Sequence, residues 1–179
     1  MSFHLFLLSA LSSLIASFIF LIVILVFLRP AIKTSKCIVL ALEEGKPCYR
    51  IKFYNTSIFS AYDADVSLVA LEERAAAPKG KHTYYQEIAL GKNKFSVIHR
   101  WLPMCLAKNY AHNCTQVKTF ENLEEILKDQ HKTLQLKITL RHGLTGLSKT
   151  FVKDYHTESS LAKGLFEFGN TFAVIQNSY

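Results

Sequence analysis

Arg29, Lys33 and Lys36 are the residues whose type and spacing most plainly specify a chemistry. They follow directly on Phe3–Leu28, a run that carries no Lys, Arg, Asp or Glu. That placement puts them at the height of anionic lipid headgroups, where each basic side chain is worth about 1 kcal/mol. Contact with lipid headgroups is therefore expected at Arg29, Lys33 and Lys36. Other constellations offer less. Cys105, His112 and Cys114 are near one another, but Cys-x6-His-x-Cys is not a zinc spacing and has no clear fourth ligand. The 7 histidines are otherwise scattered. The chain has no phosphate-binding loop, no dinucleotide fingerprint, no His-Glu-x-x-His and no Gly-x-Ser-x-Gly. We expect no enzyme, no catalytic residue, no metal and no cofactor. Nucleic-acid binding is not expected either, since no basic stretch is interleaved with aromatics.

The element that positions the basic residues is the apolar run itself. Phe3–Leu28 is long enough for a helix that crosses a hydrocarbon core of about 30 Å with some tilt. Ile15–Leu28 is almost solid Ile, Leu, Val and Phe. Ser9, Ser12, Ser13 and Ser17 interrupt the first half and are expected to bond back to their own helix. A cleaved signal peptide would want a basic leading segment and a small-residue cleavage site. This run has neither, and it ends on Phe27-Leu28-Arg29-Pro30. The expected division is residues 1–30 as a single-pass anchor and 31–179 as one domain. Residues 29–179 hold all 21 basic and 14 acidic residues, and so the whole net charge of +7.

Charge asymmetry sets the expected orientation. Met1–His4 has no Lys or Arg, whereas Arg29, Lys33 and Lys36 follow the run. The N-terminus is then outside and the domain cytoplasmic. Cys37, Cys48, Cys105 and Cys114 would be thiols there, and could form two disulfides in the reverse orientation. Asn55-Thr56-Ser57 and Asn113-Cys114-Thr115 match the glycosylation pattern, a common chance occurrence.

The domain reads as strands. Cys37–Leu42 and Cys48–Tyr54 flank a Gly-Pro turn, with Tyr49, Ile51 and Phe53 inward and Arg50, Lys52 and Tyr54 on a wet face. Ala64–Leu71 is a further strand and Arg74–Lys81 a loop. Tyr84–Leu90 and Phe95–Trp101 are expected to form a hairpin across Gly91-Lys92-Asn93. Thr133–Leu140 alternates most cleanly, with Leu134, Leu136, Ile138 and Leu140 inward. Leu147–Tyr155 returns after Gly143–Gly146, and Thr171–Ile175 closes the sheet. Asn122-Leu123-Glu124-Glu125 has the spacing of a capping box and starts a short helix. Seven or eight short strands with one inserted helix predict an all-β domain built as a two-sheet sandwich.

The order of these motifs resembles the cytoplasmic domain of inward-rectifier potassium channels. An apolar helix ends in Arg29-Pro30, with Lys33 after it. Ile38–Ala41, Gly45-Lys46-Pro47-Cys48 and Ile51-Lys52-Phe53 resemble that family's first strand, turn and strand, with Asn55 following. Ser96-Val97-Ile98-His99 is similar to its Thr-Val-x-His strand, and Leu123–Leu127 to its short acidic helix. Thr133 through Thr145-Gly146-Leu147 to Thr150 and Tyr155 resembles its penultimate hairpin. Lys163-Gly164-Leu165-Phe166 and Phe172-Ala173-Val174-Ile175 resemble its ending. The resemblance implies an immunoglobulin-like β-sandwich, assembly as a tetramer around a vestibule, and contact of Arg29 and Lys33 with anionic lipid.

The departures bear on function. A pore of that family coordinates potassium with the backbone carbonyls of a filter. These residues contain no Gly-Tyr-Gly or Gly-Phe-Gly. Arg100-Trp101-Leu102-Pro103 replaces the family's acidic stretch, and Ala31-Ile32 replaces its paired basic residues. The expectation is a membrane-tethered accessory or regulatory subunit that self-associates or joins a pore-forming partner. The alternative is a membrane-anchored β-sandwich binding module of an envelope or secretion assembly, unrelated to ion transport.

Overall fold

The computed structural model describes residues 3–27, 30–76, 80–102 and 111–176. Helix α1, Phe3–Phe27, is exposed to solvent on every side from Phe3 to Val23. It is long and apolar enough to cross a membrane. At about 1.5 Å per residue its 25 residues reach about 37 Å. Ser12 Oγ donates to Ser9 O at 3.0 Å, so this hydroxyl is satisfied within its own helix.

The rest is mostly β. The first sheet holds β1 (Ile32–Thr34), β2 (Ile38–Glu43) and β3 (Lys46–Asn55). The second is built on β4 (Ala61–Ala76), β5 (Gly80–Ile88) and β6 (Lys94–Ile98). Strand β7 (Cys114–Thr119) pairs with β3. Helix α2, Leu123–Lys128, is followed by β8 (Lys132–His142) and β9 (Ser148–Tyr155), which extend the second sheet. After a 3-10 turn at Glu158–Ser160, β10 (Leu161–Lys163) adds in parallel to β2. A two-stranded ribbon of β11 (Leu165–Phe166) and β12 (Val174–Ile175) ends the described chain.

Each strand follows from local rules. The β2–β3 hairpin turns at Glu44 and Gly45, with φ of 53° and 76°, and Glu43 pairs with Lys46. Two central residues at positive φ match the right-handed twist of the flanking strands. Strand β8 buries Leu134, Leu136, Ile138 and Leu140 on one face, as its alternation predicts. Strand β4 carries a bulge between Tyr62 and Asp65, where Asp63 has φ of 49° and its carboxylate meets Arg141. The extra residue lets Ala61 and Ala64 face the same core. Asn122 caps α2, its Oδ1 accepting from Glu125 N at 3.4 Å.

Both sheets contribute to one core. Ile38, Tyr49, Ile51, Phe53 and Val117 come from the first, and Val66, Leu68, Leu134, Leu136 and Ile138 from the second. Leu123 and Leu127 of α2 join the same cluster. Tyr155 of β9 ties the sheets further, its hydroxyl donating to Ser35 O at 2.9 Å.

Four expectations need correction. Lys52 is 2% exposed, not on a wet face. The chain that follows β10 lies over it, and Lys52 Nζ donates to Glu167 O at 2.6 Å beside the Phe166 ring. Arg74–Lys81 is not a loop where it is described: Arg74, Ala75 and Ala76 pair with His82, Lys81 and Gly80 as strands. Residues 77–79 lie outside the described residues. The hairpin across Gly91-Lys92-Asn93 does not form. Strands β5 and β6 instead run along one edge of β4, pairing at Leu68–Ala76 and Ala61–Asp65 respectively. The five residues between are claimed by other partners: Gly91 N bonds Lys118 O at 2.8 Å, and Asn93 O accepts from Val66 N at 2.8 Å. Finally, Thr171–Ile175 does not close a main sheet, since only Val174 and Ile175 are strand and they pair with β11.

Candidate membrane-proximal site

Pro30 is buried at the entry to the domain, and the chain docks immediately. Ala31 O accepts from Thr56 N at 2.9 Å and from Thr56 Oγ1 at 3.2 Å. Ile32, Lys33 and Thr34 then pair with Asn55, Tyr54 and Phe53. Ser35 is fully buried, and its N donates to Lys52 O at 2.8 Å. These bonds leave the alternate residues outward. Lys33 on β1 and Lys36 in the bend before β2 are both exposed. Arg29, the third basic residue of the candidate site, lies outside the described residues. The structure thus places two exposed ammonium groups close behind an apolar helix, on backbone locked at both ends.

The cysteines, histidines and carboxylates among the described residues have structural surroundings. Cys37, Cys48 and Cys114 are free thiols, and burial pushes all three up from their ordinary value. A raised thiol is a poor nucleophile at neutral pH. Cys114 instead donates to Gly169 O at 3.2 Å and helps hold the C-terminal cover. Cys105 lies outside the described residues. Among the described residues, no group of three or more His, Cys, Asp or Glu could hold a metal ion. His112 stacks edge-on against His99 with centroids 5.6 Å apart. Glu43 is flanked by Lys118 and by Arg50 at 3.0 Å. The hydrogen bond from Lys118 is the largest cause holding its carboxyl down at about 2.

Several structural residues were not visible in the sequence. His142 is buried with Ser57 Oγ 3.5 Å from Nε2 and Thr145 N 3.4 Å from Nδ1, under the Phe59 ring. Asn55 and Asn113, which carry the two glycosylation tripeptides, are buried. Asn55 Nδ2 donates to Phe59 O at 2.8 Å and Asn113 Nδ2 to Asn55 O at 2.9 Å. Both amides are thus committed inside the fold. The residue type was legible; the distant carbonyls of His99, which takes Asn55 Nδ2 at 3.2 Å, and of Asn55, which takes Asn113 Nδ2, were not.

Neither a protein-family model nor a curated protein matches this chain. Among solved structures it is similar to the sporulation control protein Spo0M of Bacillus subtilis, with 13% sequence identity and a TM-score of 0.38. The match covers 72% of this chain and 49% of that one, so this chain spans about half the length of that protein. A likeness at this level carries no argument about fold or function.

Proposed function

We propose that this protein is a membrane-tethered interaction subunit. Helix α1 anchors it, and its β domain is an immunoglobulin-like sandwich that self-associates or joins a partner in the membrane. The observation that carries this reading is α1: apolar, exposed from Phe3 to Val23, and followed by exposed Lys33 and Lys36. An exposed helix of this composition is stable in lipid and costly in water. The two lysines then face headgroups, with the domain on the cytoplasmic side. The resemblance to inward-rectifier potassium channels supports an oligomeric accessory or regulatory role in ion transport, rather than a self-sufficient pore.

The test uses the full chain expressed in membranes. It is expected to resist alkaline extraction, to run as an oligomer in detergent by native mass measurement, and to give no selective potassium flux in liposomes. Extraction at alkaline pH would overturn the anchor. A strict monomer in detergent would overturn the channel-like reading and favour a binding module of an envelope or secretion assembly.

A further inference from the structure

Strand β5 is an open edge. Its neighbour is β4, and among the described residues no other strand pairs with it. From Gly80 to Glu87 every residue is exposed, on both faces of the ribbon. Tyr84 and Tyr85 stand 52% and 69% exposed. A row of unpaired backbone N–H and C=O groups is a template for another strand, and natural edges are usually blunted by proline, bulges or several lysines. Here the β4–β5 register runs without a shift from Leu68–Ile88 to Ala76–Gly80. The strand Gly80–Ile88 holds no proline and a single lysine, Lys81.

We propose that two copies of this chain join antiparallel along β5, about a two-fold axis through Tyr84. Tyr84 is the middle residue of β5, so this register pairs the strand over its whole length. It sets Lys81 opposite Glu87 of the second copy, and does so twice by symmetry. His82 falls opposite Gln86, and Thr83 opposite Tyr85, a pairing suited to a sheet surface. Opposed residues share a face, so Lys81, Thr83, Tyr85 and Glu87 form one row. Within one chain Lys81 Nζ already meets Glu73 at 2.7 Å on that face. The second copy's Glu87 would complete a row of alternating charge across three strands. The unpaired edge, the full-length register and the charge complementarity all point to a second copy as the occupant. The inference deepens the self-association part of the proposed function and rests on it.

The experiment uses the full chain in detergent. Tyr84→Cys places two thiols across the axis, whereas His82→Cys faces Gln86. Under mild oxidation Tyr84→Cys is expected to give a reducible dimer about tenfold faster than His82→Cys. Mixing His82→Cys with Gln86→Cys should give a crosslinked pair that neither gives alone. Glu87→Lys should raise the dimer dissociation constant about tenfold, since two attractive pairs become repulsive. Lys81→Glu with Glu87→Lys should restore it. Equal crosslinking of Tyr84→Cys and His82→Cys, or a dissociation constant unmoved by Glu87→Lys, overturns the β5 interface while leaving self-association standing. A monomer at all concentrations overturns both.

Discussion

At the residue scale, the informative side chains are those whose partners are far away in sequence. His142 lies beside Gly143 and Leu144, a stretch that reads as an ordinary turn, yet its ring is buried between Ser57, Phe59 and Thr145. Desolvation lowers its pKa from the ordinary 6.5. Geometry favours the neutral ring as well, because Nδ1 accepts from Thr145 N and a protonated Nδ1 would confront that donor. A base whose folded pKa is depressed contributes stability that is fully present above the unfolded pKa. The contribution is lost as pH falls below 6.5 toward the folded value, since the unfolded chain takes up the proton first. The urea midpoint is therefore expected to fall between pH 7.5 and 5.5. His142→Gln should be less stable at pH 7.5 but show a shallower slope over the same range. An unchanged slope would assign the pH dependence to other groups.

At the element scale, the recurrent lesson is that edges and covers are set by what lies alongside. Strand β8 was legible because its partners on both sides enforce a period of two, with the apolar face buried. Strands β5 and β6 were legible as strands but not as neighbours, because periodicity reports which face is buried and not which strand is adjacent. The C-terminal ribbon shows the same division. Gly164 has φ of 137°, and a Cβ there would stand 2.2 Å from Ile175 O. The close approach lets β11 and β12 pair and brings Glu167 over Lys52. Gly164→Ala is expected to cost about 2–3 kcal/mol, combining backbone strain with a backbone clash. Urea unfolding measures the loss. Hydrogen exchange should localise it to residues 165–175, with amides of β8 protected as before. Uniform loss of protection would mean that the ribbon is not a separate cover.

At the scale of the whole molecule, two sheets and α2 share one core, so neither sheet can keep its apolar face buried without the other. Tyr155 to Ser35 adds a buried hydrogen bond between them, and losing it would leave a carbonyl unsatisfied at about 1–3 kcal/mol. Unfolding of the domain is therefore expected to be cooperative. The single Trp, Trp101, bonds through its backbone N to Ser57 O at 2.8 Å, near the end of the molecule where β3 leads into β4. Its fluorescence transition in urea should coincide with the loss of far-ultraviolet circular dichroism. Separate midpoints would show that the two sheets unfold independently. The membrane reading belongs to this scale too, because an apolar α1 and a basic, water-facing domain of the same chain call for two different solvents.

The sequence by itself determined the apolar helix, the alternating strands, the capped helix α2 and the mostly β character of the domain. These depend on spacing within one element, and side-chain periodicity carries that directly. It also placed Lys33 and Lys36 just after the apolar run, whereas their exposure, on β1 and in the bend before β2, is read from the structure. Only the tertiary structure decided that Lys52 is covered, that His142 and the two asparagines are committed to the interior, and that β5 has no second strand beside it among the described residues. Each of these is a relation between segments distant along the chain. Burial of a lysine or exposure of a strand edge is a property of what packs against it, and no local pattern encodes that neighbour.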